Sequence, residues 1–368
     1  MSRDWRVDSL RGYFLVIMTL AHLPRQPLGR FMTYTFGFAS APDGFVFLSG
    51  LVSGWIYLGI RSKRGQAEME ARVLRRIRQL YLFHLLLLAL GIIAAIILKQ
   101  ASFQAYHPIQ SFLAGALFLY QPGYSFILPM YCVFLLFTPI MLDQMMKGRA
   151  WLVGLISLLL WLAAQRGFGD ATHEVSWIDL GGFNLLAWQA YFIAGQYLAW
   201  RQLRGQEIVP KSRALLAISS VLALFFFVDR HFEFLTGQTA PLKFAFGTGH
   251  DPARFLNAAC LGYILWWIPR TLDRRLMDFR LFKFLNLLGR NSLQVFVFSL
   301  FVTVPWSEAG RNCWAATPEW GKVSVALATV LSLAIPAWLR DTYRARGQGK
   351  VLAIQSPRVA QSESVRAS

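Results

Sequence analysis

The sequence predicts an all-α, polytopic membrane protein of about ten transmembrane helices, with a broken first span lining a central cavity. Three observations predict this class. The 368 residues are 55% hydrophobic and only 15% charged, with a mean hydropathy of +0.42, far too apolar for an ordinary soluble domain. Apolar runs of about 16 to 22 residues recur along the chain, each near the length that crosses a hydrocarbon core. Lys and Arg crowd into alternate gaps between these runs, as they do in cytoplasmic loops. The net charge of +18 would suit a nucleic acid, but the basic residues fill gaps and do not form one solvated face. They are topology signals, and no nucleic-acid partner is expected; the expected surroundings are membrane lipid.

The runs lie near 10–24, 42–60, 79–98, 124–142, 150–165, 183–200, 213–228, 254–272, 284–305 and 321–339. In the first, Gly12 to Leu23 is about twelve apolar residues, roughly 18 Å of helix against a core of about 30 Å. Pro24 and Pro27 discourage continuation, so the helix should break just beyond His22, at a cavity open to the outer side with His22 on its floor. The second run ends at Arg61, Lys63 and Arg64, and Arg72, Arg75, Arg76 and Arg78 precede the third. A shorter run, Phe112 to Tyr120, suits a re-entrant or interfacial piece. Lys147 and Arg149 follow the fourth span, Arg201, Arg204, Lys211 and Arg213 the sixth, Arg270, Arg274, Arg275, Arg280 and Lys283 the eighth, and Arg340, Arg344, Arg346 and Lys350 the tenth. The other gaps carry acids such as Asp170, Glu174, Asp179, Asp251, Glu308 and Glu319. Both termini are therefore expected in the cytoplasm, with one transmembrane domain over 1–345 and a disordered tail over 346–368. Arg11 interrupts the first apolar run, unlike a cleaved signal peptide. Cys132 and Cys260 lie in apolar runs and Cys313 in a loop, with no metal-ligand or CxxC spacing, so neither a metal nor a permanently bound cofactor is expected.

The stretch Asp8-Ser9-Leu10-Arg11-Gly12 through His22 is the first candidate for chemistry. At about 100° per residue the eleven-residue spacing returns Arg11 and His22 to nearly one azimuth, roughly 16 Å apart along the axis. Titratable groups at that depth mark a water-filled path or a reaction centre, and a neutral imidazole with a free nitrogen is a competent general base. Asp43, at the outer entrance of the second span, suits either the orientation of His22 or a helix N-cap. Ser49-Gly50, inside that span, suits either close helix packing or a hydroxyl donor toward a reacting carbonyl. If the third helix has begun by then, Arg75 and Arg78 stand one turn apart and offer planar forks to phosphate oxygens, with Arg72 and Arg76 beside them; flanking charge is the plainer reading. Trp188 and Gln189, with Asn184, Tyr191 and Gln196, suit sugar binding or interfacial anchoring.

These residues resemble the acyltransferase-3 superfamily in the Arg-x10-His pair, the stretch Asp43-Gly44-Phe45-Val46-Phe47-Leu48-Ser49-Gly50 and Arg75-Arg76-Ile77-Arg78. The further stretches Ile127 to Tyr131, Phe183 to Gln189 and Leu288 to Phe296 are similar to its OpgC branch, succinyltransferases of osmoregulated periplasmic glucans, over almost the whole chain to about residue 340. The resemblance implies transfer of a succinyl group from cytoplasmic succinyl-CoA, a cosubstrate, to hydroxyls of a periplasmic glucan across the bacterial inner membrane. It makes His22 the catalytic candidate, Arg11 its support, and Arg75 and Arg78 the acyl-donor arginines. The second-span motif lacks a doubled aromatic before Ser49, and Ser299 stands where the superfamily has a histidine, both of which bear on acceptor choice. The rival reading is a transporter or flippase for a glucan or acylated sugar, which the bunching of arginines on one side and the lack of a visible inverted repeat disfavour.

Overall fold

A computed structural model describes residues 4–23, 27–28, 35–97, 108–119, 126–168, 184–207, 209–232, 252–267, 275, 278–303 and 317–344. Every regular element among the described residues is a helix: α1 Trp5–His22, α2 Ala41–Arg64, α3 Gln66–Ile97, α4 Pro108–Ala116, α5 Ile127–Met146, α6 Ala150–Ala164, α7 Leu185–Leu203, α8 Arg213–Phe232, α9 Pro252–Trp266, α10 Arg280–Arg290, α11 Ser292–Thr303 and α12 Glu319–Ser332, which runs on after Leu333 through 334–344. Among the described residues five helices, α2, α3, α5, α8 and α12 with its continuation, are long and apolar enough to cross a membrane, or six if α10 and α11 form one bent span. Ten were expected. The shortfall has physical causes: α1 carries Arg6, Asp8 and Arg11, α7 is diluted by Gln189, Gln196 and its aromatics, and α6 and α9 have only 15 residues each.

Local chemistry sets the boundaries. The Asp4 side chain accepts from Arg6 N, so α1 starts seven residues before Gly12 and reaches about 27 Å, longer than its apolar core alone. It stops where expected, at His22, with Leu23 extended; Pro24, the tail over 346–368, Cys313 and the outer acids Asp170, Glu174, Asp179, Asp251 and Glu308 lie outside the described residues. Ser40 and Asp43 form a capping box at the start of α2, and Gly65, at φ +85°, makes the left-handed turn into α3. α3 has 32 residues and begins at Gln66, thirteen before the apolar run, so the arginines from Arg72 to Arg78 are helical. The ninth span, expected as one helix over 284–305, is a corner: α10 and α11 meet at 94°. Asn291 sits at the bend, donates to Leu287 O and Asp341 Oδ1, and is nearly fully buried, while Arg290 pairs with Asp341 of the α12 continuation.

Glycines bring helices together at two seams. A Cβ on Gly12 would fall on the backbone of Leu285 and one on Gly289 on the carbonyl of Asp8, so α1 and α10 touch backbone to backbone. Likewise Gly50 faces Phe192 O and Gly195 faces Phe47 O, closing α2 on α7. A buried polar knot crosses the second seam: Gln196 Nε2 donates to Ser53 Oγ at 3.3 Å and to Thr138 Oγ1 at 2.9 Å. The core around Leu15, Met18, Phe45, Tyr57, Met130, Trp188, Phe192 and Phe296 joins α1, α2, α5, α7 and α11. Outward, α5 exposes Leu136, Phe137 and Ile140, and α6 exposes Trp151, Leu155, Leu159 and Leu162, the apolar exterior of a protein solvated by lipid.

Candidate functional site

Arg11 lies where three helices converge. Its Nη2 donates to Ser292 Oγ at 2.6 Å, in the first residue of α11, and its guanidinium stands 5.7 Å from the centroid of the Phe45 ring. Phe45 stacks on Phe296 at 6.4 Å, Tyr131 Oη donates to Phe45 O at 3.4 Å, and the Ser49 side chain lies near the Tyr131 hydroxyl. Arg11, Ser292, Phe45, Tyr131 and Ser49 thus form one connected set across α1, α2, α5 and α11. The α1–α10 glycine seam positions Arg11 at the corner. Gly50, next to Ser49, takes the packing role.

His22 closes α1, about 16 Å of helical rise beyond Arg11. Its Nδ1 is out of solvent contact, and Leu20 and Leu23 on either side pack against Ala326 of α12. Phe14 packs on Gly44 and is level with the first turn of α2, while Arg11 packs on Phe45 in the turn that follows. The last two turns of α1, with His22 at their end, lie beyond that level.

The described contacts of Asp43 are with Ser40 and Arg254. Both carboxylate oxygens take the Arg254 fork, Nε to Oδ2 at 2.9 Å and Nη2 to Oδ1 at 3.0 Å, while Ser40 N donates to Oδ2 at 2.8 Å. The pair is nearly dry, with side-chain exposures of 12% for Arg254 and 1% for Asp43, which makes it a desolvated, bidentate ion pair. Arg254 also lies over the Trp188 ring at 5.4 Å. Asp43 therefore joins α2 to α9 and α7 while capping its own helix. Arg254 was missing from the sequence reading. Its signal was available: an arginine in the first turn of an apolar run that starts on the acid-rich side runs against the charge pattern, and an unmatched Asp opened another such run.

The arginine run divides in two. Glu68 holds Arg72 at 2.7 Å and Arg75 at 3.2 Å, and Arg72, Arg75 and Arg78 are exposed. Arg76 turns inward and donates to Gln79 Oε1 at 2.8 Å. On the same side of the bundle Arg61 and Lys147 share Asp143. In α7, the Gln189 amide exchanges hydrogen bonds with Ser157 of α6 and donates to Leu186 O, tying α6 to α7. Asn184 caps α7, accepting from Leu186 N and Ala187 N. Trp188 is 1% exposed beneath Arg254.

A family model described as OpgC protein matches residues 3–345. No curated protein and no solved structure matches the chain.

Proposed function

The chain belongs to the OpgC family, and from that premise we propose that it is a membrane O-acyltransferase moving succinyl from cytoplasmic succinyl-CoA to hydroxyls of an osmoregulated periplasmic glucan, with both termini in the cytoplasm of the bacterial cell. The observation that carries this reading is the match over residues 3–345, a span that includes Arg11, His22 and the arginines of α3.

The chemistry follows from an imidazole at the end of a helix. His22 takes the proton of a glucan hydroxyl as the oxygen attacks the thioester carbonyl. The tetrahedral intermediate then expels the CoA thiolate, a good leaving group because a thiol pKa is around 8.5, and the imidazolium returns the proton to sulfur. No acyl-enzyme is required. Arg11, about 16 Å of rise away and turned to Ser292, supports the corner between α10 and α11 along the donor's route. Oxyanion stabilisation falls to donors nearer His22 than Arg11, whose own set includes Ser49 and Tyr131. The donor's phosphates meet cations at the arginine-rich end of α3. Asp43 acts through Arg254, and with Trp188 it shapes the acceptor side.

Purified protein in detergent, given succinyl-CoA and glucan, should release free thiol only when glucan is present, and the glucan should gain units of about 100 Da by mass spectrometry, the mass of an added succinyl group. Glucan accumulating unmodified in sealed vesicles would instead make the protein a transporter.

A further inference from the structure

Helices α6 and α7 have a groove between them that the bundle does not fill. It is a cavity of about 560 Å³ with small residues, Gly154, Ala190 and Ala194, and aromatic rings in its lining. Gln189 and Ser157 tie the two helices together, yet a Cβ on Gly154 would meet nothing within 4 Å, so the gap persists between joined helices. Trp151, Leu158 and Tyr197 line the groove and are exposed, which opens it sideways to the membrane. From Ala150 to Trp161 it follows eleven residues of α6, about 16 Å of rise, and half of a hydrocarbon core of about 30 Å is one leaflet. The two ends differ in charge. Lys147 and Arg149 precede α6, and Arg201 and Arg204 stand at the end of α7, with the Arg204 guanidinium 5.0 Å from the Trp200 ring and that ring 5.6 Å from Tyr197. Asp143 is shared by Arg61 and Lys147, and Arg149, Arg201 and Arg204 form no ion pair with a carboxylate among the described residues. At the other end Trp161 and Phe255 lie 6.1 Å apart, and the arginines described there are Arg166, in the open, and Arg254, which Asp43 already holds.

We propose that this groove binds one acyl chain of an anionic phospholipid from the leaflet at the Arg149 end, with the lipid phosphate met by Arg149 and Arg204. An apolar channel one leaflet deep suits a chain that enters along the helices. Trp151, Tyr197 and Trp200 at its mouth suit the level of the glycerol esters, where amphipathic rings collect. Guanidinium forks meet phosphate oxygens two at a time, and cations beside a membrane attract anionic headgroups. A zwitterionic lipid leaves the arginines without a net counter-charge. A second copy of this chain, related by a two-fold axis along the membrane normal, brings the same cations to the same mouth, where they repel. The lipid chain touches α6, α7 and, through Phe255, α9, so it stabilises the docking of all three. Nothing in this site depends on which group the protein transfers.

The test is native mass spectrometry and thermal unfolding of full-length protein, delipidated in detergent and titrated with phosphatidylglycerol or phosphatidylcholine of the same chains. Wild type should take up one phosphatidylglycerol in preference to phosphatidylcholine and unfold at a higher temperature with it. Arg149→Gln and Arg204→Gln should each weaken phosphatidylglycerol binding about fivefold and leave phosphatidylcholine unchanged. Gly154→Leu fills the groove from a position with open space around it and should abolish phosphatidylglycerol uptake, whereas Gly91→Leu, equally open on α3, should not. If Gly154→Leu does not yield folded protein, Leu158→Trp replaces it. Equal affinity of wild type for the two lipids, or unchanged uptake by the filled variant, overturns the site. Glycerol 3-phosphate, a headgroup without chains, should not bind measurably; an affinity matching that of phosphatidylglycerol overturns the role of the groove. A dimer mass that the filled variant abolishes, with no lipid bound to wild type, also overturns the proposal and assigns the groove to a second copy.

Discussion

Substituting His22 with alanine removes the proposed proton acceptor and is expected to lower succinyl transfer on the order of 100- to 10,000-fold, the usual range for a general base, with the variant still inserted and monodisperse. Near-normal glucan succinylation by that variant, read by mass spectrometry, would exclude His22 from the chemistry. Asp43 and Arg254 make a different demand. Removing one member of a buried pair leaves a charge without its partner, so Arg254→Met alone should lower stability by about 3–5 kcal/mol, whereas Asp43→Asn combined with Arg254→Met should restore much of it. Thermal unfolding in detergent checks the cycle, and additive losses would mean that the pair is not coupled. His22 and Arg11 were legible in the sequence because charge inside an apolar run is costly and therefore conspicuous. Asp43 was legible as a helix-starting acid. Its partner lies 211 positions away, and no local pattern encodes that distance.

At the scale of helices, the glycine seams carry the sharpest consequences. Gly289→Ala or Gly12→Ala must push α1 away from α10, at a cost of about 1–3 kcal/mol or more, and shift Arg11 from Ser292. Lower melting temperature and lower activity should appear together. Gly91→Ala and Gly154→Ala, where a methyl group meets nothing within 4 Å, should be neutral or slightly stabilising. A drop of the same size at those positions would mean that the seams are not special. The sequence marked most helices through their apolar runs but missed two features. α3 starts before its apolar run because Glu68, Arg72 and Arg75 stabilise the exposed turns through pairs one and two turns apart. The corner at Asn291 was hidden because α10 and α11 together look like one apolar run. The bend is made by Arg290 and Asn291 binding Asp341, a contact between distant segments.

For the whole molecule, orientation is the testable property. The end of the bundle bearing Arg61, Arg64, Arg72 and Lys147 is expected in the cytoplasm, and the end bearing Asp43 and the N-terminus of α7 outside. A cysteine placed at Arg64 should react with a membrane-impermeant thiol reagent only in inverted vesicles, and one at Phe168 only from the outside of intact cells; the opposite pattern would reverse the direction of transfer. The sequence by itself determined the helical, membrane-embedded class and the arginine-rich face, because hydropathy and charge are sums over neighbouring residues. It also determined where α1 stops, because the chain there meets prolines. Only the tertiary structure decided which arginine of α3 turns inward, that Arg254 holds Asp43, and that Arg11 supports a corner. Each of those depends on which helices lie side by side, and burial selects that arrangement from residues hundreds of positions apart.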